Sequence, residues 1–536
     1  MAGRRYELTI GSLLRSSVDR NPNQEIVYSD LKRFTYRQFE ERVLKLSKAL
    51  IHIGIREDDN VAVIDWDSFV FLESFYAVPM IGATLHTVNI RYPPELIYYT
   101  MQQAQDKVVI IRDEFVPIIE RFKEMFTFVK SWIIYSESGA MPKTSLENVY
   151  NYDDLISGDY KEELPSFSEE KRATLFYTSG TTGMPKGVYF SHRQIVIHAM
   201  GLGFNLGDDP ANVKSTDVFM PLVPMFHVHS WEMPQLILLI GMKYVLPGKY
   251  DFEKIPEIMH KERVTVSAMV PSILTMILAN PKSKELLSDL NLRTIIGGAA
   301  LPKGLYDRAK EINIRAMTGY GMSETAPVLT LATYNYEVLK LPESEREQFN
   351  ISTGFPVPFV EIKLRGKDGN FVPNDGKTIG EIVIKAPWAT EGYYKDEEKT
   401  AKLWKDGWLN TGDLAVMDKL GSLHIVDREK DAVKSGGEFI PTLIIEDVIS
   451  TFPGVKEVAV VAKPDPKWEE RPVAFISGID TIDEGALLKH LQQFIDSGRI
   501  AKFWIPDEFI PIEEFPKTST NKIDKKVLRE RFKKLD

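Results

Sequence analysis

Short buried-strand patterns and helix patterns alternate along this chain, and that alternation constrains its fold more than any other feature. Apolar residues between positions 39 and 53 recur every three or four residues, which predicts a helix, and the apolar run 61–64 predicts a buried strand. A helix over 69–77, a strand over 83–87, a helix from Pro94 and a strand over 108–111 follow. This order predicts parallel sheets covered by helices.

The pattern of residues changes at two points along the chain. Strand patterns continue at 218–223, 244–246, 264–270 and 294–296, but from about Ser352 glycines separate short strand-like runs, which predicts an antiparallel subdomain. The C-terminal segment has strands and helices of its own and is long enough for a small domain. We therefore predict an α/β protein with three parts: a large domain of helix-covered, mostly parallel sheets at 1–427, β-rich at 352–427; a hinge at 428–431; and a mobile α+β domain at 432–536.

The composition excludes several functional classes. The chain contains no cysteine, which rules out disulfides, thiolate metal sites and a cysteine nucleophile. Its 66 basic and 76 acidic side chains give a net charge of −10, so we expect no nucleic-acid partner. The N-terminus lacks the apolar segment of a signal peptide, and no apolar run approaches the ~18 residues of a membrane helix. We expect a cytoplasmic protein without stable membrane insertion.

The segment 175–192, LFYTSGTTGMPKGVYFSH, has the composition of a polyphosphate-binding loop. A predicted strand leads into small hydroxylated residues and glycines, and a second strand follows. Glycines allow backbone N–H groups to converge, hydroxyls add donors and lysine adds positive charge. The pattern is not a Walker loop, because a strand follows it and not a helix. The candidate phosphate ligands are Thr178, Ser179, Gly180, Thr181, Thr182, Gly183 and Lys186.

This loop resembles the signature of the adenylate-forming superfamily, which includes acyl-CoA synthetases, beetle luciferases and adenylation domains of peptide synthetases. Further motifs follow in the family's order over essentially the whole chain: GAA at 298–300, TGYGMSET at 318–325, NTGD at 410–413 and PKTSTNKIDKK at 516–526. The resemblance is strongest to medium- and long-chain fatty acyl-CoA synthetases. It implies ATP, Mg²⁺ and CoA as cofactors or co-substrates, and a small carboxylic acid as the substrate.

The resemblance also implies the nucleotide contacts. Tyr320, in an expected glycine-rich turn, would stack on adenine, Asp413 would accept hydrogen bonds from the ribose hydroxyls, and Arg428 would contact ribose or phosphate. Glu324 and Thr178 would hold Mg²⁺, which commonly combines few protein oxygens with phosphate oxygens and water. The remaining expected nucleotide contacts are Gly298, Ala299, Ala300, Gly319, Gly321, Met322 and Ser323.

Lys522 matches the family's catalytic lysine, which reaches the substrate carboxylate and the α-phosphate. A cation placed where negative charge develops is a strong electrostatic catalyst. The family pattern has glycine before this lysine, and this chain has Asn521. Since asparagine tolerates left-handed backbone geometry, we expect the role of the lysine to persist. The resemblance adds to the catalytic set Thr178, Lys186, Glu324 and His227.

The implied reaction has two steps. The acid attacks the α-phosphate of ATP, which yields an acyl-adenylate and pyrophosphate, and the CoA thiolate then displaces AMP. In the family the C-terminal domain rotates between these steps, and Lys430 matches the pivot position. The segment 434–438 would line the pantetheine channel, with expected CoA contacts at Lys434, Gly436 and Gly437.

The acyl site has fewer signals. His227, in PMFHVHSW at 224–231, matches the family's histidine or aromatic residue beside the adenylate carbonyl. Trp231 resembles the indole that gates the tunnel of long-chain synthetases, with a core position as the alternative. Gly321 stands where acetyl- and propionyl-CoA synthetases have a tryptophan, which favours a longer chain. The sequence assigns no role to His229.

The leading hypothesis is an AMP-forming acyl-CoA ligase for a medium- to long-chain fatty acid. A short hydroxyacid such as 4-hydroxybutyrate, or an aryl acid, is the alternative substrate. A luciferase-type oxidoreductase and a non-catalytic nucleotide-binding scaffold are the alternative functions. The scaffold is disfavoured because all of the main charged site residues are present, namely Lys186, Glu324, Asp413, Arg428 and Lys522. Fatty acyl relatives are often dimers, so a homodimer is expected by analogy.

Overall fold

The computed structural model describes residues 6–178, 184–429, 431–436, 438–518 and 521–533. A seven-stranded sheet in the N-terminal region has the order β7-β6-β5-β3-β4-β8-β9, and all of its pairs are parallel except β8–β9. An antiparallel hairpin, β1 and β2, precedes it. These strands are β1 (Glu25–Tyr28), β2 (Lys32–Thr35), β3 (Asn60–Ile64), β4 (Thr84–Thr87), β5 (Asp106–Arg112), β6 (Ser131–Tyr135), β7 (Val149–Asn151), β8 (Arg172–Thr178) and β9 (Lys186–Ser191).

A second, nine-stranded sheet incorporates the hairpin, in the order β16-β15-β14-β13-β12-β10-β11-β1-β2. Its pairs are parallel from β14 to β1 and antiparallel at both ends. The added strands are β10 (Val218–Leu222), β11 (Lys243–Leu246), β12 (Val266–Met269), β13 (Arg293–Ile296), β14 (Arg315–Gly321), β15 (Val328–Leu331) and β16 (Phe355–Pro356).

Helices join and cover the two sheets. The central one, α3, is buried from Phe69 to Pro79, as expected for a helix that is apolar all round. The helices are α1 (Ile10–Arg20), α2 (Tyr36–His52), α3 (Phe69–Met80), α4 (Pro94–Ala104), α5 (Val116–Glu120), α6 (Tyr152–Ser157), α7 (His192–Leu206), α8 (Val228–Trp231), α9 (Met233–Ile240), α10 (Ile255–Glu262), α11 (Pro271–Ala279), α12 (Ser283–Leu287), α13 (Lys303–Glu311), α14 (Tyr336–Leu339) and α15 (Glu343–Arg346). Of these, α8 is a single left-handed turn.

Two smaller sheets complete the chain. The first is antiparallel throughout and contains β17 (Glu361–Arg365), β18 (Gly380–Lys385), β19 (Trp404–Lys405), β20 (Trp408–Met417) and β21 (Leu423–Arg428), with α16 (Glu397–Leu403). The second contains β22 (Val433–Ser435), β23 (Glu438–Ile440), β24 (Glu457–Asp465), β25 (Glu469–Ser477) and β26 (Glu508–Pro511), with α17 (Thr442–Ser450), α18 (Glu484–Asp496) and α19 (Lys525–Lys533). The last unit has hydrophobic clusters of its own.

The predicted fold class is confirmed: helix-covered, mostly parallel sheets precede a small α+β unit. One local prediction was wrong. Thr318–Gly321 does not form a turn but continues β14, because Gly319, Tyr320 and Gly321 pair with β15. The turn comes afterwards, as a 3₁₀ helix at Ser323–Thr325. Among the described residues, no helix has the length and apolar character needed to cross a bilayer.

Candidate active site

Three residues predicted to hold the nucleoside lie on three strands, β14, β20 and β21, and meet there. Asp413 on β20 faces Arg428 on β21 in the antiparallel register. Its Oδ1 accepts a hydrogen bond from Nε of Arg428 at 3.1 Å, and its Oδ2 accepts one from the hydroxyl of Tyr320 at 2.8 Å. The carboxylate is buried, whereas the Arg428 side chain is 52% exposed. The structure thus places an aromatic ring, a carboxylate and a guanidinium side by side, as an adenosine site requires.

The electrostatics of this group follow from burial and pairing. The carboxylate of Asp413 raises the pKa of Arg428, which therefore stays charged. Burial raises the pKa of Tyr320 well above its ordinary value, so its hydroxyl keeps its proton and acts as a donor to Asp413.

A second group surrounds a residue that sequence reasoning missed, Tyr393. Its hydroxyl donates to Oε1 of the buried Glu324 at 2.6 Å, and Nζ of Lys186 lies 4.6 Å from the centre of its ring. Lys186 begins β9 directly opposite Thr178, the last residue of β8. Thr178, Lys186 and Glu324 are therefore brought together at the edge of the predicted phosphate loop.

The segment that carries Tyr393 is TEGYY at 390–394. Thr390 N donates to the carbonyl of Glu324 at 2.8 Å, and Tyr394 N donates to the carbonyl of Gly187 at 2.8 Å. These bonds fix the segment across the loop motif and the Glu324 turn. Its only sequence signal is a glycine beside two tyrosines, which does not indicate what they contact.

The oxygen donors at this point fit Mg²⁺. Within the described part of the chain, no group of three or more His, Cys, Asp or Glu side chains could hold a metal ion. A single carboxylate, Glu324, with the hydroxyl of Thr178 suits a cation that takes its other ligands from phosphate and water. These two residues would hold the ion, and the ion would neutralise phosphate charge there.

Lys522 extends from the C-terminal unit to the nucleotide site. A Cβ on Gly298 would lie 2.9 Å from Cε and 3.2 Å from Nζ of this lysine, so the end of the Lys522 side chain passes directly over Gly298. Burial, assisted by the positive charge of Arg428 and opposed by Asp413, lowers the pKa of Lys522 to about 8. The ammonium group is therefore available for catalysis near neutral pH and sensitive to small changes in its surroundings.

Asn521, which replaces the family's glycine, has φ of +61°. A left-handed conformation was expected here because the family has glycine at this position. Asparagine adopts this conformation more readily than most residues. The carbonyl of Asn521 accepts a hydrogen bond from Oγ of Ser272 at 2.5 Å. The backbone before Lys522 is thus tied to α11 of the large domain.

Of the three predicted acyl-site residues, Trp231 lies on a strained turn and His227 directly precedes it. Residues 228–232 have successive φ values of +47°, +54°, +53°, +56° and +61°. The left-handed helical conformation costs an L-residue about 1–2 kcal/mol, so this turn persists only because its surroundings impose it. His227 precedes the turn, and burial together with the positive charges of Lys522 and Arg91 lowers its pKa to about 3. Its imidazole is therefore neutral.

Trp231, at the end of the turn, is 6% exposed. Its ring lies against the glycine that follows β13: a Cβ on Gly297 would be only 2.8 Å from Cη2 of the indole. Trp231 therefore stands next to Gly298, the residue over which Lys522 passes. The position of Trp231 fits the interpretation as a gate of the acyl site. The burial of its indole fits the alternative interpretation as a core residue.

Backbone packing explains why residue 321 is glycine, independently of the acyl chain. A Cβ there would lie 1.7 Å from the carbonyl oxygen of Pro327, because the two backbone segments touch. A side chain at 321 is excluded by this backbone, so the glycine does not by itself indicate a longer substrate. The same segment holds Met322, whose N–H donates to the carbonyl of Pro327 at 3.2 Å.

The other predicted residues are placed as follows. Ala299 and Ala300 are exposed in the loop after β13, Gly319 lies within β14, and Ser323 begins the 3₁₀ turn. In the C-terminal unit, Lys434 N donates to Glu470 and Gly436 N donates to the carbonyl of Trp468. The remaining candidates lie outside the described residues, namely Ser179, Gly180, Thr181, Thr182, Gly183, Lys430 and Gly437.

Comparison with known families agrees with this geometry. Residues 14–394 match the AMP-binding enzyme family, and residues 444–522 match the AMP-binding enzyme C-terminal domain. The chain belongs to the AMP-binding enzyme family. The first match contains the site residues from Thr178 to Tyr393 and the second ends at Lys522, whereas Asp413, Arg428, Lys434 and Gly436 lie between the two matched ranges.

Several relatives that resemble this AMP-binding enzyme along almost its whole length are named CoA ligases. A long-chain-fatty-acid–CoA ligase of Thermus thermophilus is 36% identical, over 94% of this chain and 91% of the relative. A medium-chain-fatty-acid–CoA ligase of Ectopseudomonas oleovorans is 33% identical over 98% and 96%. A 4-hydroxybutyrate–CoA ligase 2 of Metallosphaera sedula is 33% identical over 95% and 91%.

The fold also matches solved structures. The crystal structure of the anthranilate CoA ligase AuaEII in complex with anthranoyl-AMP superposes with a TM-score of 0.85 at 22% identity, over 98% of each chain. At this identity the likeness establishes the architecture and leaves the substrate to other evidence.

Proposed function

We propose that this AMP-binding enzyme is an AMP-forming acyl-CoA ligase that activates a medium- to long-chain fatty acid with ATP. The observation that carries the proposal is the position of Lys522, which passes over Gly298 and contributes positive charge at both His227 and the Asp413–Arg428 pair. The positive charge of Lys522 therefore acts on both the expected acid site and the expected nucleotide site. That arrangement suits attack of a carboxylate on the α-phosphate.

Each group of residues has a distinct part in the first step. Asp413, with Tyr320 and Arg428, would hold the nucleoside, and Lys186 would bind the phosphate chain. Glu324, oriented by Tyr393, would hold Mg²⁺, which supplies charge neutralisation when bound. Lys522 would stabilise the charge that develops between the carboxylate and the α-phosphate.

The second step needs no nucleophile from the protein. The CoA thiolate attacks the acyl-adenylate carbonyl, the bond to the phosphate oxygen breaks, and AMP leaves. Neutral His227 would line the carbonyl without adding charge. We propose that the unit from Val433 onward rotates about residues 428–431 between the steps and that Lys434 and Gly436 then meet CoA.

The chain length of the acid is the open part of the proposal. The long- and medium-chain names of two similar relatives support a fatty acid, and the 4-hydroxybutyrate name of another supports a short hydroxyacid as the second candidate. A scan of acid-dependent pyrophosphate release over C2–C18 acids, hydroxyacids and aryl acids decides between them. Maximal kcat/KM at C8–C16 is expected. Absence of release with every acid would refute the ligase, and a maximum at 4-hydroxybutyrate would refute the fatty-acid substrate.

We also propose two finer features. The enzyme would act in the cytoplasm, where ATP and CoA are available, and, by analogy with fatty acyl relatives, it would form a homodimer. Light scattering on the eluting protein tests the second point: a mass near 61.1 kDa, the mass of one chain, would exclude the dimer.

A further inference from the structure

We propose that the buried pair His229–Glu232 is a positioning element of the acyl site. It holds residues 228–232 in their left-handed turn, and through that turn it sets the places of His227 and Trp231. The kinetic consequence of this inference rests on the proposed function, but the structural part does not.

The pair closes the turn upon itself. Nδ1 of His229 lies 2.8 Å from Oε1 of Glu232, three residues later, and both side chains have no exposed surface. Ser230, between them, donates from Oγ to the carbonyl of Val223 at 2.7 Å. Both hydrogen bonds are made by side chains of residues whose backbone is left-handed. They therefore oppose a return of this backbone to negative φ values.

The imidazole is itself fixed by three aromatic rings. Phe75, Phe176 and Phe190 meet the ring of His229 edge-on, with centroids at 6.1, 4.9 and 5.7 Å. Phe176 lies on β8 and Phe190 on β9, the two strands that flank the predicted phosphate loop. The pair therefore connects the acyl turn to the hairpin that carries Thr178 and Lys186.

Packing alone does not explain a glutamate at this place. Burial raises the pKa of Glu232 and lowers that of His229, so the pair is held in a neutral form. A fully buried polar pair is usually no more stabilising than apolar side chains of similar size, whereas a hydrogen bond has direction. Oε2 of Glu232 and Nε2 of His229 are buried without a protein partner, so the contact between the two residues is the one that orients them.

The test compares Glu232→Leu, which keeps the volume and removes the hydrogen bond, with Glu232→Gln, whose amide can still hydrogen-bond to Nδ1 of His229 as acceptor or as donor. The first readout is the emission of Trp231 alone, obtained by subtracting the spectrum of the Trp231→Phe variant in each background. We expect a red shift in Glu232→Leu, because the released indole meets water, and the wild-type spectrum in Glu232→Gln.

The second readout is kinetic. Glu232→Leu should raise KM for the acid at least tenfold and change KM for ATP less than twofold, and Glu232→Gln should stay within twofold of wild type in both. An unchanged Trp231 spectrum with an unchanged acid KM in Glu232→Leu would overturn the inference. Equal losses of kcat in both variants, with every KM unchanged, would also overturn the inference, because that result indicates only a smaller fraction of folded enzyme.

Should Glu232→Leu fail to fold, Glu232→Met decides the question, because methionine also removes the hydrogen bond and its flexible side chain fills the space more easily. A red shift and a rise in acid KM are expected, and wild-type values of both would overturn the inference. If wild-type protein released no pyrophosphate with any acid, the ligase would be refuted. The Trp231 difference spectra would still show whether the pair holds the turn.

Discussion

The nucleotide half and the acid half of the site are made in different ways. Asp413, Arg428 and Tyr320 lie on strands: the register of β20 and β21 sets Asp413 opposite Arg428, and Tyr320 reaches Asp413 from β14 of another sheet. His227 and Trp231 depend on a turn of five residues with positive φ, held by buried polar contacts. One half uses ordinary secondary structure, and the other uses a conformation that isolated residues avoid.

This difference explains why short motifs identify the reaction better than the substrate. A motif that lies on strands keeps its geometry in any protein with the same sheets. A strained turn depends on distant partners, such as Phe75 on α3, and small changes in them move the acyl site. Substitutions in the nucleotide half should therefore affect activation of every acid, and substitutions beside the turn should alter the choice of acid.

Lys522→Ala should have the largest effect. Loss of the ammonium group should lower the adenylation rate about 10²–10³-fold. Transfer to CoA from supplied acyl-adenylate should persist, because that step does not use this lysine. Pyrophosphate release and thioester formation measure the two steps separately, with Lys526→Ala, on the exposed face of the same segment, as the control. Equal loss of both steps would contradict the assigned role.

Asp413→Asn should raise KM for ATP about 10- to 100-fold, since the variant loses hydrogen bonds of a charged acceptor and leaves Arg428 unpaired. The relative activity on different acids should not change. Initial rates at varied ATP check this, and Glu429→Gln, an exposed carboxylate next to Arg428, is the control. A change in acid preference would mean that the two halves are not separable.

Gly297→Ala tests the acid half of the site, where Trp231 packs against residue 297. The new methyl would displace the indole of Trp231, which lies 2.8 Å from the Cβ position, and should change acid KM about tenfold with a shifted chain-length profile. KM for ATP should change less. Gly485→Ala, at the start of α18, is the matched control. If both variants behave like wild type, Trp231 does not border the acid.

Tyr393→Phe should raise the Mg²⁺ concentration needed for half-maximal activity about fivefold, because Glu324 loses the hydroxyl that orients it. Tyr394→Phe is the control, since that ring contacts Tyr189 and Arg172 instead. Titration of activity with Mg²⁺ at saturating ATP measures the effect. Identical titrations for the two variants would remove Tyr393 from the metal site.

The pH profile should show the smallest effect. Because burial lowers the pKa of Lys522 to about 8, its catalytic charge is present below that pH and is lost as pH rises through it. At pH 8 kcat/KM should be about half of its plateau. Lys522→Arg keeps its charge to higher pH and should move the decline upward, whatever its absolute rate. Coincident profiles would show that another group titrates.

Much of the architecture could be predicted from the sequence. Strand patterns at 61–64, 108–111 and 294–296 fall within β3, β5 and β13, since buried parallel strands are apolar runs that need no distant information. The prediction failed at Thr318–Gly321, where two glycines suggested a turn and pairing with β15 imposes a strand. Tyr393 was missed because its role depends on a contact with Glu324, 69 residues away in sequence.

The sequence by itself indicated the family, the order of its two matched domains and the candidate residues for nucleotide chemistry, because these depend on local patterns and spacing. Tertiary structure alone decided the partners of those residues. It placed Lys522 over Gly298, gave Gly321 a packing role against Pro327, and wound residues 228–232 left-handed around a buried His229–Glu232 pair. The physical reason is that backbone contact, burial and strain arise only when distant segments meet.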